Sequence, residues 1–387
     1  MPRRAAIVFA LALLAACGSP SVRPSVTPVV SSLASPRPTA TPSPSPSPPS
    51  LDVTPLIPEL APGGGLDFLQ ENGTTAASFP TSKPFELFSP FGNGFLAAPI
   101  VNSSAGSLVA VQPDGTLQTL QPITASESST GVVGAPDGHA WAWLDGPGYS
   151  SPCNNGVSSG TVDIETPTSQ PQVVATLPPG PANTAWSLGG WANDDVWVVE
   201  ETGCPTTGTG TTASFIVHAG TSTLTPVQTA LGTGCDLTAV ALDGSMLCTT
   251  PPNKPATTTW RFVNAAGAAQ NFSAASLPSV CAGHGTLQDF EGFALSFDAQ
   301  YISVDAGCES SAGRFDQLFI IPTATGTAHV VTTSTYLAAD SWLPDDALLC
   351  VDLSNPSAAH SYLVTAAGAV TPLGSGEATW ATTNVEW

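Results

Sequence analysis

The pentapeptide Gly-Val-Ser-Ser-Gly at 156–160 matches the G-x-S-x-G pattern that presents a nucleophilic serine in many hydrolases. That chemistry requires a sharp turn from a strand into a helix, which exposes the serine hydroxyl. Here the pattern follows a strand predicted at 139–144 through a Cys- and Asn-rich loop and leads into another strand. In a chain this rich in Gly and Ser we interpret the match as chance, and the sequence predicts no catalytic residue.

Two acidic pairs, Asp194-Asp195 and Asp345-Asp346, are candidates for calcium ligation or acid/base catalysis. Neither pair is accompanied by a D-x-D-x-D-G calcium loop. Both occupy a turn position that recurs along the chain, where Asp is favoured because its side chain hydrogen-bonds the nearby backbone. We therefore interpret both pairs as turn residues.

Metal ligation has little support in the sequence. The chain has five histidines: His139, His218, His284, His329 and His360. No two of them are separated by two or four residues, the spacings that place two histidines on one face of a strand or helix. Cys281 and His284, together with Cys308, are a possible zinc set, but zinc sites usually have tighter paired spacings. The sequence therefore predicts neither a metal nor a cofactor.

Cations are scarce throughout the chain. From Glu59 onward they number four, namely Lys83, Lys254, Arg261 and Arg314. Two arginines are too few for the three-arginine carboxylate clamp of a sialidase type of site. The formal net charge of -21 also excludes nucleic acid as a partner, because phosphate neutralisation needs clustered Lys and Arg.

The composition limits the elements that position these residues. With 36 Gly and 38 Pro in 387 residues, the chain has too many helix breakers for long helices or coiled coils. An apolar content of 42% is sufficient for a hydrophobic core. The length permits one large all-β domain or two smaller ones.

Two short patterns alternate along most of the chain. One is a turn containing Gly or Asp followed by an apolar strand, at 92–97, 136–144, 193–200, 242–249, 297–305 and 345–352. The other is a hairpin with period-2 alternation of apolar residues, at 107–120, 161–177, 214–231, 259–272, 317–333 and 361–373. Together they predict six four-stranded antiparallel units.

Repeated four-stranded units are typical of a β-propeller. A partial unit remains at each end of the repeat: a hairpin at 66–79 and a strand with a turn at 377–387. We predict that these join as a seventh, shared blade, which closes the ring and removes exposed sheet edges. A six-bladed propeller and two stacked β-sandwiches are the alternatives.

The turn and strand at 341–349 (SWLPDDALL) and the turn at 135–138 (APDG) resemble the repeat of TolB-type propellers, W-S-P-D-G-x-x-L/I-A-F. The hairpin strand at 318–326 (LFIIPTATG) is similar to that family's L-W-V-x-D-x-x-T-G strand. The resemblance extends over most of 84–374, although the cations after the turn are absent. It implies an interaction module or substrate filter and no catalytic residues, and the sequence indicates no separate enzyme domain.

Seven cysteines follow Cys17, an odd number, so at least one lacks a partner within the set. Six of them are the disulfide candidates: Cys204, Cys235, Cys248, Cys281, Cys308 and Cys350. Their positions relative to the Asp turns place them at one end of the propeller. We predict that Cys204–Cys235 and Cys248–Cys281 link neighbouring blades.

Nine tryptophans are the remaining candidates for ligand contacts. Eight fall at or near predicted first or second strands: Trp141, Trp143, Trp186, Trp191, Trp197, Trp342, Trp380 and Trp387. We predict packing between blades rather than sugar stacking, since blade interfaces need large flat side chains.

The N-terminus reads as a targeting segment. Arg3 and Arg4 precede a ten-residue apolar stretch, 5–14, too short to span a bilayer. Leu14-Ala15-Ala16-Cys17 resembles the lipobox of bacterial lipoproteins, which implies a signal peptide at 1–16 and a lipid on Cys17. We predict that 17–58 is a Pro/Ser/Thr-rich disordered tether and 59–387 the propeller domain.

Together these patterns predict an extracytoplasmic protein anchored in the lipid bilayer through Cys17. The first functional hypothesis is a non-catalytic binding module for an envelope protein or a glycan. The alternative is a propeller glycoside hydrolase or polysaccharide lyase that uses carboxylates in the central channel.

Overall fold

The computed structural model describes most of the chain from residue 56 onward. The described ranges are 56–60, 65–80, 85–99, 107–122, 132–147, 157–180, 184–192, 195–202, 211–218, 223–227, 231, 235–250, 257–281, 285–311, 313–332, 337–352, 360–374 and 377–378. The predicted signal peptide, Cys17 and nearly all of the predicted tether lie outside them. Within these ranges no helix is long and apolar enough to cross a membrane.

The described strands form seven four-stranded antiparallel sheets, so the predicted seven-bladed β-propeller is confirmed. Blade 1 contains β4 (Phe85–Phe91), β5 (Gly94–Pro99), β6 (Ser107–Val111) and β7 (Leu117–Pro122). Blade 2 contains β8 (Val132–Gly134), β9 (Trp141–Asp145), β10 (Gly160–Glu165) and β11 (Gln172–Leu177). Blade 3 contains β12 (Thr184–Ala192), β13 (Asp195–Thr202), β14 (Thr211–Val217) and β15 (Leu224–Pro226).

The next three blades repeat the same order. Blade 4 contains β16 (Asp236–Val240), β17 (Met246–Thr250), β18 (Thr259–Val263) and β19 (Ala269–Ser273), followed by a 3-10 turn at Ala274–Ser276. Blade 5 contains β20 (Thr286–Leu295), β21 (Tyr301–Ser310), β22 (Gly313–Pro322) and β23 (His329–Val330). Blade 6 contains β24 (Leu337–Trp342), β25 (Ala347–Asp352), β26 (His360–Thr365) and β27 (Val370–Gly374).

The seventh, closing blade is shared by the two ends of the chain. It contains β1 (Ile57–Leu60), β2 (Leu66–Leu69), β3 (Thr75–Phe79) and β28 (Glu377–Ala378), in the order β28-β1-β2-β3. Because β1 begins at Ile57, the strand starts two residues before the predicted domain start at Glu59. The prolines around this segment look like tether, yet Ile57 is fully buried in the core.

The first strand of each blade lies at the centre of the ring, because first strands contact one another from blade to blade, as β4 with β8 and β20 with β24. Apolar clusters fill the spaces between neighbouring blades. All seven described tryptophans are at most 4% exposed, which confirms the packing prediction: Trp141, Trp143, Trp186, Trp191, Trp197, Trp260 and Trp342. Trp380 and Trp387 lie outside the described residues.

Candidate functional site

One face of the propeller is formed by the turns that join first to second strands and third to fourth strands. Successive turns of an antiparallel meander alternate between its two ends, so these two sets of turns share a face. The carboxylates at or beside these turns are Glu71, Asp114, Asp137, Asp195, Asp243, Asp298, Asp345 and Asp346. No Lys or Arg lies in the described turns of this surface, which we call the acidic face.

Hydrogen bonds from backbone amides hold five of these carboxylates in fixed positions, namely Asp114, Asp137, Asp243, Asp298 and Asp345. Asp114 Oδ1 accepts from the Thr116 amide at 2.9 Å, and Asp243 Oδ1 accepts from the Ser245 amide at 2.8 Å. The Asp298 carboxylate accepts in the same way from the amide two residues later. The Thr116 hydroxyl and amide lower the pKa of Asp114. The interpretation of the Asp345-Asp346 pair as turn residues is therefore correct for Asp345, which accepts from the Ala347 amide at 3.2 Å.

Four of the acids form contacts across three adjacent blades. Glu71 in the closing blade meets Asp345 in blade 6, and Asp346 meets Asp298 in blade 5. Desolvation first, and then the neighbouring Asp345, raises the pKa of Glu71 to about 7. Desolvation, and then Asp298 and Asp345, raises the pKa of Asp346 to about 7. Near neutral pH, Glu71 and Asp346 are therefore partly protonated, whereas isolated carboxylates would be ionised.

Two histidines on the same face pair with aspartates. His139 Nδ1 contacts Asp137 Oδ1, and its ring lies edge-on to Trp191 of blade 3 at a centroid distance of 5.7 Å. His218 Nδ1 lies 2.7 Å from Asp195 Oδ2 across β13 and β14. Sequence reasoning missed both pairs. The first has a local signal, since His139 follows its turn aspartate by two residues, whereas the second is separated by 23 residues.

The opposite face carries the disulfides, and their pairing differs from the prediction. Cys235 is bonded to Cys248 and Cys281 to Cys308, so each bridge lies within one blade. In an antiparallel pair the start of the first strand lies beside the end of the second, which brings these residues together; the Cα atoms of Cys235 and Cys248 are 5.5 Å apart. The Cys281–Cys308 bond also excludes the zinc set.

Cys350 occupies the same strand position as Cys248. Cys248 pairs in register with Leu237, two residues after Cys235, and Cys350 pairs with Ala339, two residues after Leu337. Because Leu337 stands where a cysteine would be needed, Cys350 is a buried free thiol. Cys204 lies outside the described residues, but its predicted bond to Cys235 is wrong, because Cys235 is bonded to Cys248.

An ion pair lies on the same side as the disulfides. Arg314 Nη2 on β22 lies 2.9 Å from Asp289 Oδ1 on the innermost strand β20. It reaches Asp289 across β21 at Gly307, where an added Cβ would lie 2.2 Å from Asp289 Oδ1. Arg261 instead donates from Nη1 to the Leu231 carbonyl at 3.0 Å. Both arginines therefore have structural contacts away from the acidic face.

The serine motif is not a nucleophile elbow. The Ser158 amide donates to the Pro147 carbonyl at 3.2 Å, and Gly160 begins strand β10 rather than a helix. The interpretation of 156–160 as a chance match agrees with this geometry, although Gly156 lies outside the described residues. Among the residues that the structure describes, no group of three or more His, Cys, Asp or Glu side chains is arranged to hold a metal.

The innermost strands border the central axis, where channel carboxylates would lie. In five blades this strand has a bulge that sets one extra residue against its neighbour. The extra residues are Phe88, Gly189, Thr238, Gln288 and Asp340. Of these five residues only Asp340 is acidic. Its carboxylate accepts a hydrogen bond from the Ser341 hydroxyl at 2.8 Å.

Comparisons with known proteins identify the fold only. Neither a family model nor a curated protein sequence matches the chain. Among solved structures, a prolyl endopeptidase matches with a TM-score of 0.57 and 12% identity, over 84% of this chain and 50% of that one. An oligogalacturonate lyase in complex with manganese matches with a TM-score of 0.54 and 12% identity, over 83% and 85%.

Two further solved structures match, one of them a second proline-specific enzyme and the other a TolB protein. A post-proline cleaving enzyme from Rickettsia typhi matches with a TM-score of 0.53 and 8% identity, over 84% of this chain and 52% of that one. The chain thus spans about half the length of both proline-specific enzymes. TolB from Acinetobacter baumannii matches with a TM-score of 0.39 and 8% identity, over 84% and 64%. That score is too low to distinguish a TolB-type propeller from other propellers.

Proposed function

We propose that this protein is a non-catalytic binding module of the cell envelope, anchored to the membrane by a lipid on Cys17. Its partner is a protein that presents a cationic surface to the acidic face. The observation that carries the proposal is the acidic face itself: eight carboxylates from all seven blades and no Lys or Arg in its described turns.

The geometry of the face favours recognition of a protein over that of a small molecule. Five of the eight carboxylates are fixed by hydrogen bonds from backbone amides, so these side chains lose little conformational entropy on binding. They are spread over the whole ring, which matches the extended surface of a protein better than a single pocket. A field of one sign also speeds encounter with an oppositely charged partner, by a factor that falls with ionic strength.

The predicted location is compatible with the cysteine chemistry. Disulfides persist in oxidising compartments, and the two bonds in blades 4 and 5 indicate an extracytoplasmic environment. The lipid anchor rests on the sequence of the first 17 residues. At ~3.1 Å per residue for a Pro-rich chain, the predicted tether of about 40 residues would let the propeller reach on the order of 100 Å from the membrane.

The experiment is capture of partners from envelope extract with the full chain and a charge-removal variant. The double variant Asp114→Asn and Asp243→Asn removes two charges from the acidic face, and Asn retains the turn hydrogen bond. The matched control, Asp145→Asn and Glu309→Gln, removes two exposed charges from the ends of second strands, at the opposite face. We expect the first variant to capture a stoichiometric protein roughly threefold more weakly or worse, and the control to be unchanged.

Two results would contradict the proposal. If both double variants captured the partner equally weakly, binding would depend on the total charge of the protein and not on the acidic face. Depolymerisation of a polysaccharide by the purified wild-type chain would support the hydrolase or lyase alternative instead.

A further inference from the structure

The interface between blades 5 and 6 contains polar side chains deep inside the ring. Alternate residues of β21 point to opposite neighbours, and its odd-numbered residues face blade 6. Tyr301 stacks on Trp342 of blade 6 with ring centroids 5.7 Å apart. Four residues further along β21, Asp305 Oδ2 accepts a hydrogen bond from the Ala339 amide of blade 6 at 2.7 Å. These two contacts fix how the strand lies against blade 6.

Ser303 lies between these two contacts and points the same way. Its cross-strand neighbours, Ala294 and Ile320, both belong to the apolar cluster between blades 5 and 6. Ser303 is 0% exposed, and its hydroxyl oxygen has no hydrogen-bond partner. A buried hydroxyl without a partner costs about 1–3 kcal/mol of free energy, so a ligand that contacts this oxygen would recover that cost.

A second carboxylate reaches this interface through the bulge of β24. Ala339 and Asp340 together oppose Cys350, so Asp340 is set on the side of the sheet that faces blade 5. Cys350 is fully buried in the same apolar cluster. Asp305 Oδ2 contacts the amide of Ala339, the residue directly before Asp340, so the two carboxylates lie on neighbouring strands beside each other.

The innermost strand of blade 5 leaves space beside Asp305. Its register shifts between Phe290 and Phe293, and Gly292 lies within this bulge. A Cβ added at Gly292 would lie 2.7 Å from Asp305 Oδ2, so any side chain there would displace the carboxylate. The backbone of the bulge therefore runs directly past Asp305.

We propose that the interface between blades 5 and 6 binds one calcium ion, with Ser303, Asp305 and Asp340 as side-chain ligands. Carboxylate, hydroxyl and peptide oxygens are the ligands that Ca²⁺ accepts, in sets of six to eight with flexible geometry. Mg²⁺ fits less well because it retains several waters, for which a fully buried hydroxyl leaves little room. The site is separate from the acidic face, and it does not depend on the proposed partner.

The first test measures calcium on the purified full chain. After chelation and dialysis, equilibrium binding of ⁴⁵Ca²⁺ should saturate at one ion per chain. At a free concentration of 100 times Kd, Tm should rise by about 4 °C. Tb³⁺ should also bind and show luminescence sensitised at 280 nm, because Trp342 and Tyr301 adjoin the site. The proposal would be overturned if the chain bound no stoichiometric Ca²⁺ and its Tm did not change. It would also be overturned if Na⁺, and not Ca²⁺, occupied the site.

Variants assign the ion to the interface. Asp305→Asn and Ser303→Ala should each weaken calcium binding at least tenfold and reduce the Tm shift at the same calcium concentration to about half or less. Asp243→Asn, an acidic-face control, should bind as the wild type does. If Asp305→Asn does not fold, Ser303→Ala decides, since it deletes one oxygen from a side chain without a hydrogen bond. Two results together would refute the assignment. The folded Ser303→Ala chain would bind calcium with wild-type affinity, and the Trp342→Phe chain would show an unchanged sensitised Tb³⁺ signal.

Discussion

The two faces of β21 meet different neighbours, and they contrast sharply. Toward blade 4 the strand presents Ile302, Val304 and Ala306, which are fully buried in an apolar cluster with Trp260. Toward blade 6 it presents Ser303 and Asp305, buried to the same degree but polar.

The polar character continues along the interface of blades 5 and 6 as far as the acidic face, where Asp298 meets Asp346. At the same level, blades 4 and 5 are joined by a backbone hydrogen bond, from the Leu242 amide to the Phe297 carbonyl at 2.9 Å. One interface is thus held by apolar burial, and the other combines apolar packing with ionisable groups. Blades of one ring can therefore be joined by different chemistry, so mutation, pH or ions need not affect the stability of every blade interface equally.

The largest effect is expected at the centre of the apolar interface. Trp260 is 1% exposed and contacts the rings of Phe272, Phe290 and Phe293. Trp260→Ala should reduce the free energy of unfolding by about 4 kcal/mol, through lost burial and a cavity. Chemical denaturation checks this value. Leu117→Ala, at a position 45% exposed, is the control and should change stability by less than about 0.5 kcal/mol. A Trp260→Ala loss below about 1 kcal/mol would show that this interface does not depend on the aromatic cluster.

The next effect concerns the covalent link inside blade 5. Replacing Cys281 and Cys308 by Ser opens a bridge with a sequence separation of 27 and should cost about 3.5 kcal/mol in the loop-entropy model. The Cys235–Cys248 bridge, with a separation of 13, should cost slightly less, about 3 kcal/mol. Thermal unfolding of both double variants and peptide mapping under non-reducing conditions provide the test. Peptides joining Cys248 to Cys281 would contradict the pairing described above.

Stability should depend on pH through the contacts that blade 6 makes with its two neighbours, and not through the interface of blades 4 and 5. Burial and neighbouring acids raise the pKa values of Glu71 and Asp346 to about 7, above the unfolded values of 4.5 and 3.8. The folded chain thus holds these protons more tightly. Their contribution to stability is complete below the unfolded pKa values and is lost as pH rises through about 7.

The measurement is urea denaturation at a series of pH values. The Glu71→Gln, Asp346→Asn double variant should lose a pH-dependent component of about 1–2 kcal/mol, a figure reduced for solvent screening of half-exposed groups. Asn suits position 346 because this residue has a positive φ of 64°. Asp114→Asn is the control for removal of a turn charge. Identical pH profiles for the wild type and the double variant would contradict the shared protons.

The smallest effect compares adjacent positions of β21 in the absence of calcium. Ile302→Val removes one methylene from the apolar side and should cost about 1 kcal/mol. Ser303→Ala removes a hydroxyl that has no hydrogen bond, so stability should stay within about 0.5 kcal/mol or rise. Parallel denaturation curves in chelator are sufficient for this comparison. A loss above about 1 kcal/mol in Ser303→Ala would indicate an ordered water bound to this hydroxyl.

Much of the fold was accessible from local patterns. The alternation of turn, strand and hairpin predicted all six complete blades, because period-2 burial and turn chemistry are encoded within a few residues. The strand β1 was missed, since Pro55 and Pro58 give it the composition of a tether. Ile57 is buried against leucines of blade 6, and β1 also pairs with β28, more than 300 residues away in the chain. No local signal reports these contacts.

The candidate sites were less accessible. The Asp turns were recognised, but their convergence on one face follows from closure of the ring. The cysteine pairing was predicted between blades and occurs within them, since register decides which sulfur atoms meet.

The sequence by itself determined the repeat, the all-β class and the scarcity of cations, because each is a property of composition or of short-range order. Only the tertiary structure decided which residues of different blades become neighbours. Ser303 and Asp340, or Glu71 and Asp345, are brought together by the packing of one sheet on the next. Period-2 alternation predicts which side of a strand is buried, but it does not predict which residues of the neighbouring blade pack against that side.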